Sequence, residues 1–206
     1  MKLKICGLKY MDNIREVVKC TPDYMGFIFY EGSKRFVGEE LDAAYLNSLD
    51  FKIKKVGIFV RAEQEYILEK VKKYNLDFVQ LHGNESSDFC NELSCHVKII
   101  KAFGIDETFD FSQLQDYKAS SAYFLFDTKT KEYGGSGKHF NWRILGNYDN
   151  EIPFFLSGGI NINHIGSILQ MDKMNIHAID VNSKFEIEPG LKDIEKIKLL
   201  KNAIHC

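Results

Sequence analysis

The chain has 206 residues, 45% of them hydrophobic, and its 27 Lys and Arg nearly balance 29 Asp and Glu to give a net charge of −2. That is enough apolar material for a single domain spanning residues 1–206. The near-neutral balance excludes a nucleic-acid or membrane partner drawn by bulk charge, so any anion site must be local.

Eight short apolar runs recur along the chain, each four to six residues long and rich in Val, Ile and Phe, as suits strands buried on both faces. The first, LKIC (3–6), ends in Cys6, with Gly7 at the turn. A buried cysteine is ordinarily a small hydrophobe, so only its setting could give this one a chemical role. DNIREVVKC (12–20) has helical spacing with Asp12 as the expected N-cap. YMGFIF (24–29) leads into a basic loop, EGSKRF (31–36), which carries Lys34 and Arg35. KVGIFV (55–60) precedes AEQEYILEKVKKY (62–74), where Tyr66, Ile67, Val71 and Tyr74 fall on one stripe. FVQLH (78–82) carries Gln80 and His82 two apart, so strand alternation aims both the same way. KIIKAF (98–103) and AYFLFD (122–127) follow, the latter ending in Asp127. PFFLS (153–157) runs into Gly158 and Gly159, and AIDVN (178–182) carries Asp180 and Asn182 before Ser183. LKDIEKIKLLKNAI (191–204) closes the pattern as an amphipathic helix.

Strand starts fall about 20 to 31 residues apart, the length of a compact βα unit with a right-handed crossover. Eight such units predict an α/β fold with an eight-stranded parallel sheet closed as a (β/α)8 TIM barrel. The chain is short for that fold, typically about 250 residues, so its connections must be lean. A doubly wound open sheet is the competing architecture, disfavoured because no GxGxxG follows any strand. The glycine-rich stretch EYGGSGKHF (132–140) is not a P-loop, because His139 stands where Ser or Thr is required. It is expected to be a mobile βα loop.

In a barrel the carboxyl ends of the strands face the active site. Cys6, Gln80, His82, Asp127, Asp180 and Asn182 all stand at or near such ends. The loops after strands seven and eight commonly bind phosphate through backbone N–H groups. Gly158 and Gly159 supply close-approach backbone there, and Asn182 and Ser183 add polar groups.

The cysteine count of 5 is odd and contains no CxxC, and the N-terminus enters a strand with no signal-peptide layout. Free thiols and a cytoplasmic location are therefore expected. No apolar run approaches the roughly 18 residues of a membrane span. Cys90, Cys95 and His96 lack a second ligand pair, so no metal site is expected.

KICG, GFIFYEGSKRF, VGIFV, VQLHG, FDTKTKEYGGSGKHFNW, LSGGI and DVNSKFEIEPGLKD occur in an order that resembles the phosphoribosylanthranilate isomerase family of tryptophan biosynthesis. The resemblance covers essentially the whole chain. It implies a cofactor-free (β/α)8 enzyme, without metal, that performs an Amadori rearrangement on a small phosphosugar–anthranilate substrate. It implies Cys6 as general base, Asp127 as general acid and Arg35 as the holder of the anthranilate carboxylate. It also implies phosphate binding at Gly158, Gly159, Asn182 and Ser183. Gln80, His82 and Asp180 are expected to touch substrate as well. For the base, Lys4 and the Lys34/Arg35 loop are candidate cations that would lower the thiol pKa toward neutrality.

Two departures stand out. Many members have SGVE after strand eight, where this chain reads Ser183-Lys184-Phe185-Glu186, and the glycine loop has Ser136 where threonine is common. Competing readings are another phosphosugar isomerase or epimerase on the same barrel, or a non-catalytic sugar-phosphate-binding barrel. Monomer and homodimer both stay open.

Overall fold

A computed structural model of the chain describes residues 1–129 and 140–205. The glycine-rich stretch, apart from Phe140, lies outside the described residues. Strands β1 (Lys2–Ile5), β2 (Tyr24–Ile28), β3 (Lys54–Phe59), β4 (Phe78–Leu81), β5 (Lys98–Ile105), β6 (Ser121–Thr128), β7 (Phe154–Leu156) and β8 (Ile176–Val181) close into one parallel barrel. Each expected run becomes a strand, with ends that move by no more than two residues. The ring is sealed by β1 pairing with β8, which sets Lys4 opposite Asp180.

Strand alternation divides the apolar side chains between two cores. Leu3, Ile5, Phe27, Phe59, Leu81, Phe124 and Leu156 point outward and pack under the helices. Val56, Ile58, Phe78, Ile100, Ala102, Leu125, Phe155 and Ala178 fill the barrel interior, with Cys6 at its upper end.

The outer layer is thin, as the short chain requires. It comprises α1 (Met11–Lys19), α2 (Ala43–Asn47), α3 (Gln64–Tyr74), α4 (Ser87–Ser94), α5 (Ile165–Leu169) and α6 (Ile194–His205). Among the described residues, the segments after β5 and β6 contain 3-10 turns, at Phe111–Tyr117 and Trp142–Asn147, and no α-helix. The expected stripe on α3 is buried at Ile67 and Tyr74, with Tyr66 and Val71 packed at its edge.

Two expected boundaries move. Helix α1 starts at Met11 with Tyr10 as N-cap. Asp12 sits instead in its first turn, beside the N-terminal end of the helix dipole, and pairs with Arg15 at 2.7 Å. Leu191 and Lys192 leave the final helix to form β10, which pairs antiparallel with β9 (Glu186–Glu188). The turn Pro189-Gly190 separates them, and Gly190 has a φ of +93°.

At the amino-terminal end of the barrel an aromatic plug closes the interior. Tyr24, Phe155 and Tyr123 meet edge to face, at 5.1 Å between Tyr24 and Phe155 and 5.4 Å between Tyr123 and Phe155. His177 joins them, its Nε2 2.6 Å from the Tyr24 hydroxyl. Burial, reinforced by Lys2, lowers the His177 pKa to about 4. The unfolded chain therefore binds the extra proton more readily between its ordinary pKa of about 6.5 and about 4. The resulting stabilisation is complete above about pH 6.5 and is lost as pH falls through this window. Replacing His177 with glutamine is expected to flatten that part of the acid limb. Melts of the two proteins at about pH 4.5 should show a relative difference on the order of 2–5 °C in the pH-induced loss. Parallel Tm–pH curves between pH values of about 4 and 7 would refute the assignment.

Candidate active site

The chemistry gathers at the carboxyl end of the strands. A cleft open to solvent is lined there by Cys6, Gln80, His82, Asp127, Ser157–Gly159, Asp180 and Asn182–Lys184 among others. Every residue expected to act at this end is therefore brought together except Arg35.

Its floor is polar. Lys4 points into the barrel and its side chain is 0% exposed, with the ammonium 3.1 Å from Asp180 Oδ1. The same ammonium donates to Gln80 Oε1 at 2.7 Å. Burial opposes the charge on Lys4, but Asp180 and then Cys6 overcome it and hold the Lys4 pKa above its ordinary value. Ser157 Oγ lies 3.4 Å from the second Asp180 oxygen. Gln80 and Asp180 thus reach the cleft, as expected, but commit polar atoms to Lys4.

Cys6 directly follows β1. Its N–H donates to the Val181 carbonyl at 2.9 Å and the Gly7 N–H to the Gly26 carbonyl at 3.0 Å, which anchors the turn. Gly7 has a φ of +75°, and a Cβ there would come within 2.7 Å of Arg35 Cδ and Asn182 Oδ1. Only glycine lets the chain turn away at this point and leaves the thiol over the cleft. Burial pushes the thiol pKa up, Lys4 pulls it down, Asp180 pushes it up again and Lys192 pulls it down. The balance lies above the ordinary thiol value, which corrects the expectation that nearby cations bring it toward neutrality. Desolvation outweighs the lysines because the thiol sits beneath the rim and Asp180 offsets part of the Lys4 charge.

Asp127 stands on the far wall, on a strand three places from β1 around the ring. Its Oδ1 accepts the Thr128 N–H at 2.7 Å, and its Oδ2 lies 3.5 Å from His82 Nε2. His82 Nδ1 in turn lies 2.7 Å from Gln80 Nε2.

The residues expected to hold phosphate line one side of the cleft. Gly158 has a φ of +90°, and a Cβ there would stand 2.4 Å from Thr128 Oγ1 and 2.8 Å from the Thr128 nitrogen. A side chain at that position is excluded, so the backbone lies bare to the cleft. Asn182 and the turn Ser183–Phe185 form the facing edge, with exposed Lys184 on its lip.

Arg35 is near the rim but occupied. Its Nε lies 3.0 Å and 3.1 Å from the two Glu186 carboxylate oxygens, and its Nη2 donates to one of them at 2.7 Å. The side chains are 12% and 4% exposed. Lys192 donates to the same carboxylate at 2.6 Å and to Asn182 Oδ1 at 2.8 Å. Burial opposes the charge on Glu186, but Arg35 and Lys192 hold its carboxyl below the usual range. Glu186 and Lys192 were not anticipated from the sequence. The turn signal Pro189-Gly190 marks the hairpin that carries them, whereas Lys192 otherwise looks like the polar face of a helix.

Among the described residues Cys6, Cys20, Cys90 and Cys95 are free thiols. No described group of three or more His, Cys, Asp or Glu could hold a metal ion, and no described helix is long and apolar enough to cross a membrane.

The mouth of the closed βα barrel thus combines a thiol, a carboxyl on a separate wall and glycine backbone. The model of the N-(5'-phosphoribosyl)anthranilate isomerase family matches residues 3–203. The isomerase of that name from Parabacteroides distasonis is 46% identical over 200 residues, covering 96% of this chain and 90% of the relative. The crystal structure of phosphoribosyl anthranilate isomerase from Thermotoga maritima aligns with a TM-score of 0.89 at 34% identity, covering 100% of this chain and 98% of that one. A further isomerase structure, in complex with reduced 1-(o-carboxyphenylamino)-1-deoxyribulose 5-phosphate, aligns with a TM-score of 0.85 at 30% identity, covering 100% and 98%. The chain belongs to the N-(5'-phosphoribosyl)anthranilate isomerase family. It is an intramolecular isomerase of tryptophan biosynthesis.

Proposed function

We propose that Cys6 is the general base and Asp127 the general acid of the Amadori rearrangement of N-(5'-phosphoribosyl)anthranilate. The observation that supports this most is their placement on separate walls of one cleft, on strands three places apart around the ring. Asp127 gives its proton to the ring oxygen as the C1–O bond breaks, and the anthranilate nitrogen lone pair closes a C=N bond. The Cys6 thiolate then takes the proton from C2, and the electron pair moves onto nitrogen to give the enolamine, which tautomerises to the ketone. Lys4 stabilises the thiolate from below. The acid must arrive protonated and the base deprotonated, so their different chemistries and surroundings suit the two roles.

The phosphate would lie against the N–H groups of Gly158 and Gly159, with Asn182 and Ser183 completing the cradle. Arg35 would take the anthranilate carboxylate through its planar fork, exchanging Glu186 for the substrate's carboxylate. Arg35→Ala is then expected to raise KM about 10–100-fold, from roughly 1.5–3 kcal/mol for hydrogen bonds to a charged group, with a smaller change in kcat. Steady-state kinetics with an unchanged KM would remove Arg35 from substrate binding.

In the same reading the chain works as one domain in the cytoplasm on a small molecule, as a monomer or a homodimer. The direct test follows the fluorescence of phosphoribosylanthranilate as it is consumed by the purified protein. Turnover of the analogous histidine-pathway precursor, with none of phosphoribosylanthranilate, would overturn the assignment, as would binding without turnover of either.

A further inference from the structure

Beneath the cleft a continuous polar chain joins the surroundings of the base to the acid. It runs from Asp180 to Lys4 at 3.1 Å, from Lys4 to Gln80 at 2.7 Å, from Gln80 to His82 at 2.7 Å, and ends with His82 Nε2 at 3.5 Å from Asp127 Oδ2. The first links leave little freedom of orientation. A lysine ammonium has donors and no acceptor, so the Gln80 atom it touches must be the amide oxygen. The Gln80 NH2 therefore faces His82 and donates to Nδ1. That makes Nδ1 the bare nitrogen, and in the neutral ring the proton sits on Nε2, turned toward Asp127.

The consequence is chemical. A bare imidazole nitrogen is a stronger base than a carboxylate, so a lone pair on Nε2 would take the acid's proton and hold it as an imidazolium–carboxylate pair. With the proton on Nε2, the ring offers no lone pair there. It presents an N–H that favours the carboxylate left behind once the proton has moved to the ring oxygen.

We propose that Gln80 is a positioning residue which, read through Lys4, fixes the His82 tautomer so that the proton of Asp127 is available only to substrate. The inference rests on Asp127 being the general acid. It gives Gln80 and His82 a role beyond contact with substrate, and it gives Lys4 a second duty besides its service to Cys6.

The first measurement needs no variant. Long-range ¹H–¹⁵N correlation spectra of the ligand-free protein at about pH 8.5, where an ordinary imidazole is neutral, should show His82 with a bare Nδ1 and a protonated Nε2. The opposite tautomer would overturn the proposal. The second measurement reverses the relay. In Gln80→Glu the new carboxylate accepts from Lys4 and also from His82, so the proton moves to Nδ1 and the lone pair turns to Asp127. The ¹⁵N signals should exchange character, and kcat should fall about 10–100-fold with KM changed less than about threefold.

Introducing His82→Gln removes the basic imidazole nitrogen, leaving an amide too weakly basic to take the proton of a carboxylic acid. In that background Gln80→Glu should cost less than about threefold in kcat relative to the His82→Gln parent. An equal loss in both backgrounds would mean that Gln80 acts through Lys4 and Cys6, and the proposal would fall. Failure of the underlying reading looks different. If Asp127→Asn retains full activity, the acid assignment is lost while the wild-type tautomer stays as described.

Discussion

Replacing Cys6 with alanine is expected to lower kcat by about 10²–10⁴-fold, the range for loss of a positioned general base. The thiol sits over the cleft on a turn held by backbone hydrogen bonds from Cys6 and Gly7, so its removal leaves the strand ends in place. Binding of the reduced product analogue should survive within a few-fold, and the far-UV circular dichroism should not change. Cys6→Ser separates chemistry from packing. A hydroxyl fills nearly the same space but ionises far less readily, so its loss of rate should approach that of alanine. Because burial raises the thiol pKa in the ligand-free protein, the thiolate fraction grows with pH above the ordinary value for cysteine, about 8.5. The kcat/KM profile, which reports the free enzyme, should therefore keep rising in that alkaline range and lose this limb in the variants. Full activity in Cys6→Ala would end the assignment.

Asp127→Asn is the matching test of the acid, with an expected loss in kcat of about 10²–10⁴-fold and KM held within a few-fold. The amide keeps the shape of the carboxyl, and its oxygen can still accept the Thr128 N–H that now holds Oδ1 at 2.7 Å. What it lacks is a transferable proton at the ring oxygen. A rate within a few-fold of wild type would assign the proton donor elsewhere. His82, 3.5 Å away, would be the first residue to examine.

The barrel was legible because its strands carry local signals: short β-branched and aromatic runs at regular spacing, bounded by turn residues. Alternation within those runs also tells which side chains share a face, and for Gln80 with His82 nothing more is needed. Connections were harder. The 3-10 turns at Phe111–Tyr117 and Trp142–Asn147 are too short for helical periodicity to declare itself. Lys192 was assigned to a helix because its own neighbours have that spacing, and its pairing with Glu186 depends on a hairpin of two short strands.

The electrostatics were least legible. Arg35 was expected to be an open fork, but its partner Glu186 lies 151 positions along the chain. The thiol pKa depends on depth and on Asp180 as much as on the lysines that the sequence places nearby. No local pattern encodes either quantity.

Pairing of β1 with β8 sets Lys4 against Asp180, residues from the two ends of the ring. Strands β2 to β7 all lie between them in the chain. A chain that stops short of β8 carries Cys6 but has neither the counter-ion for Lys4 nor Asn182 and Ser183. Closing the ring therefore also brings together the proposed base and the proposed phosphate-binding residues. Such a long-range closure also raises the contact order, a property that slows folding of single domains as a whole.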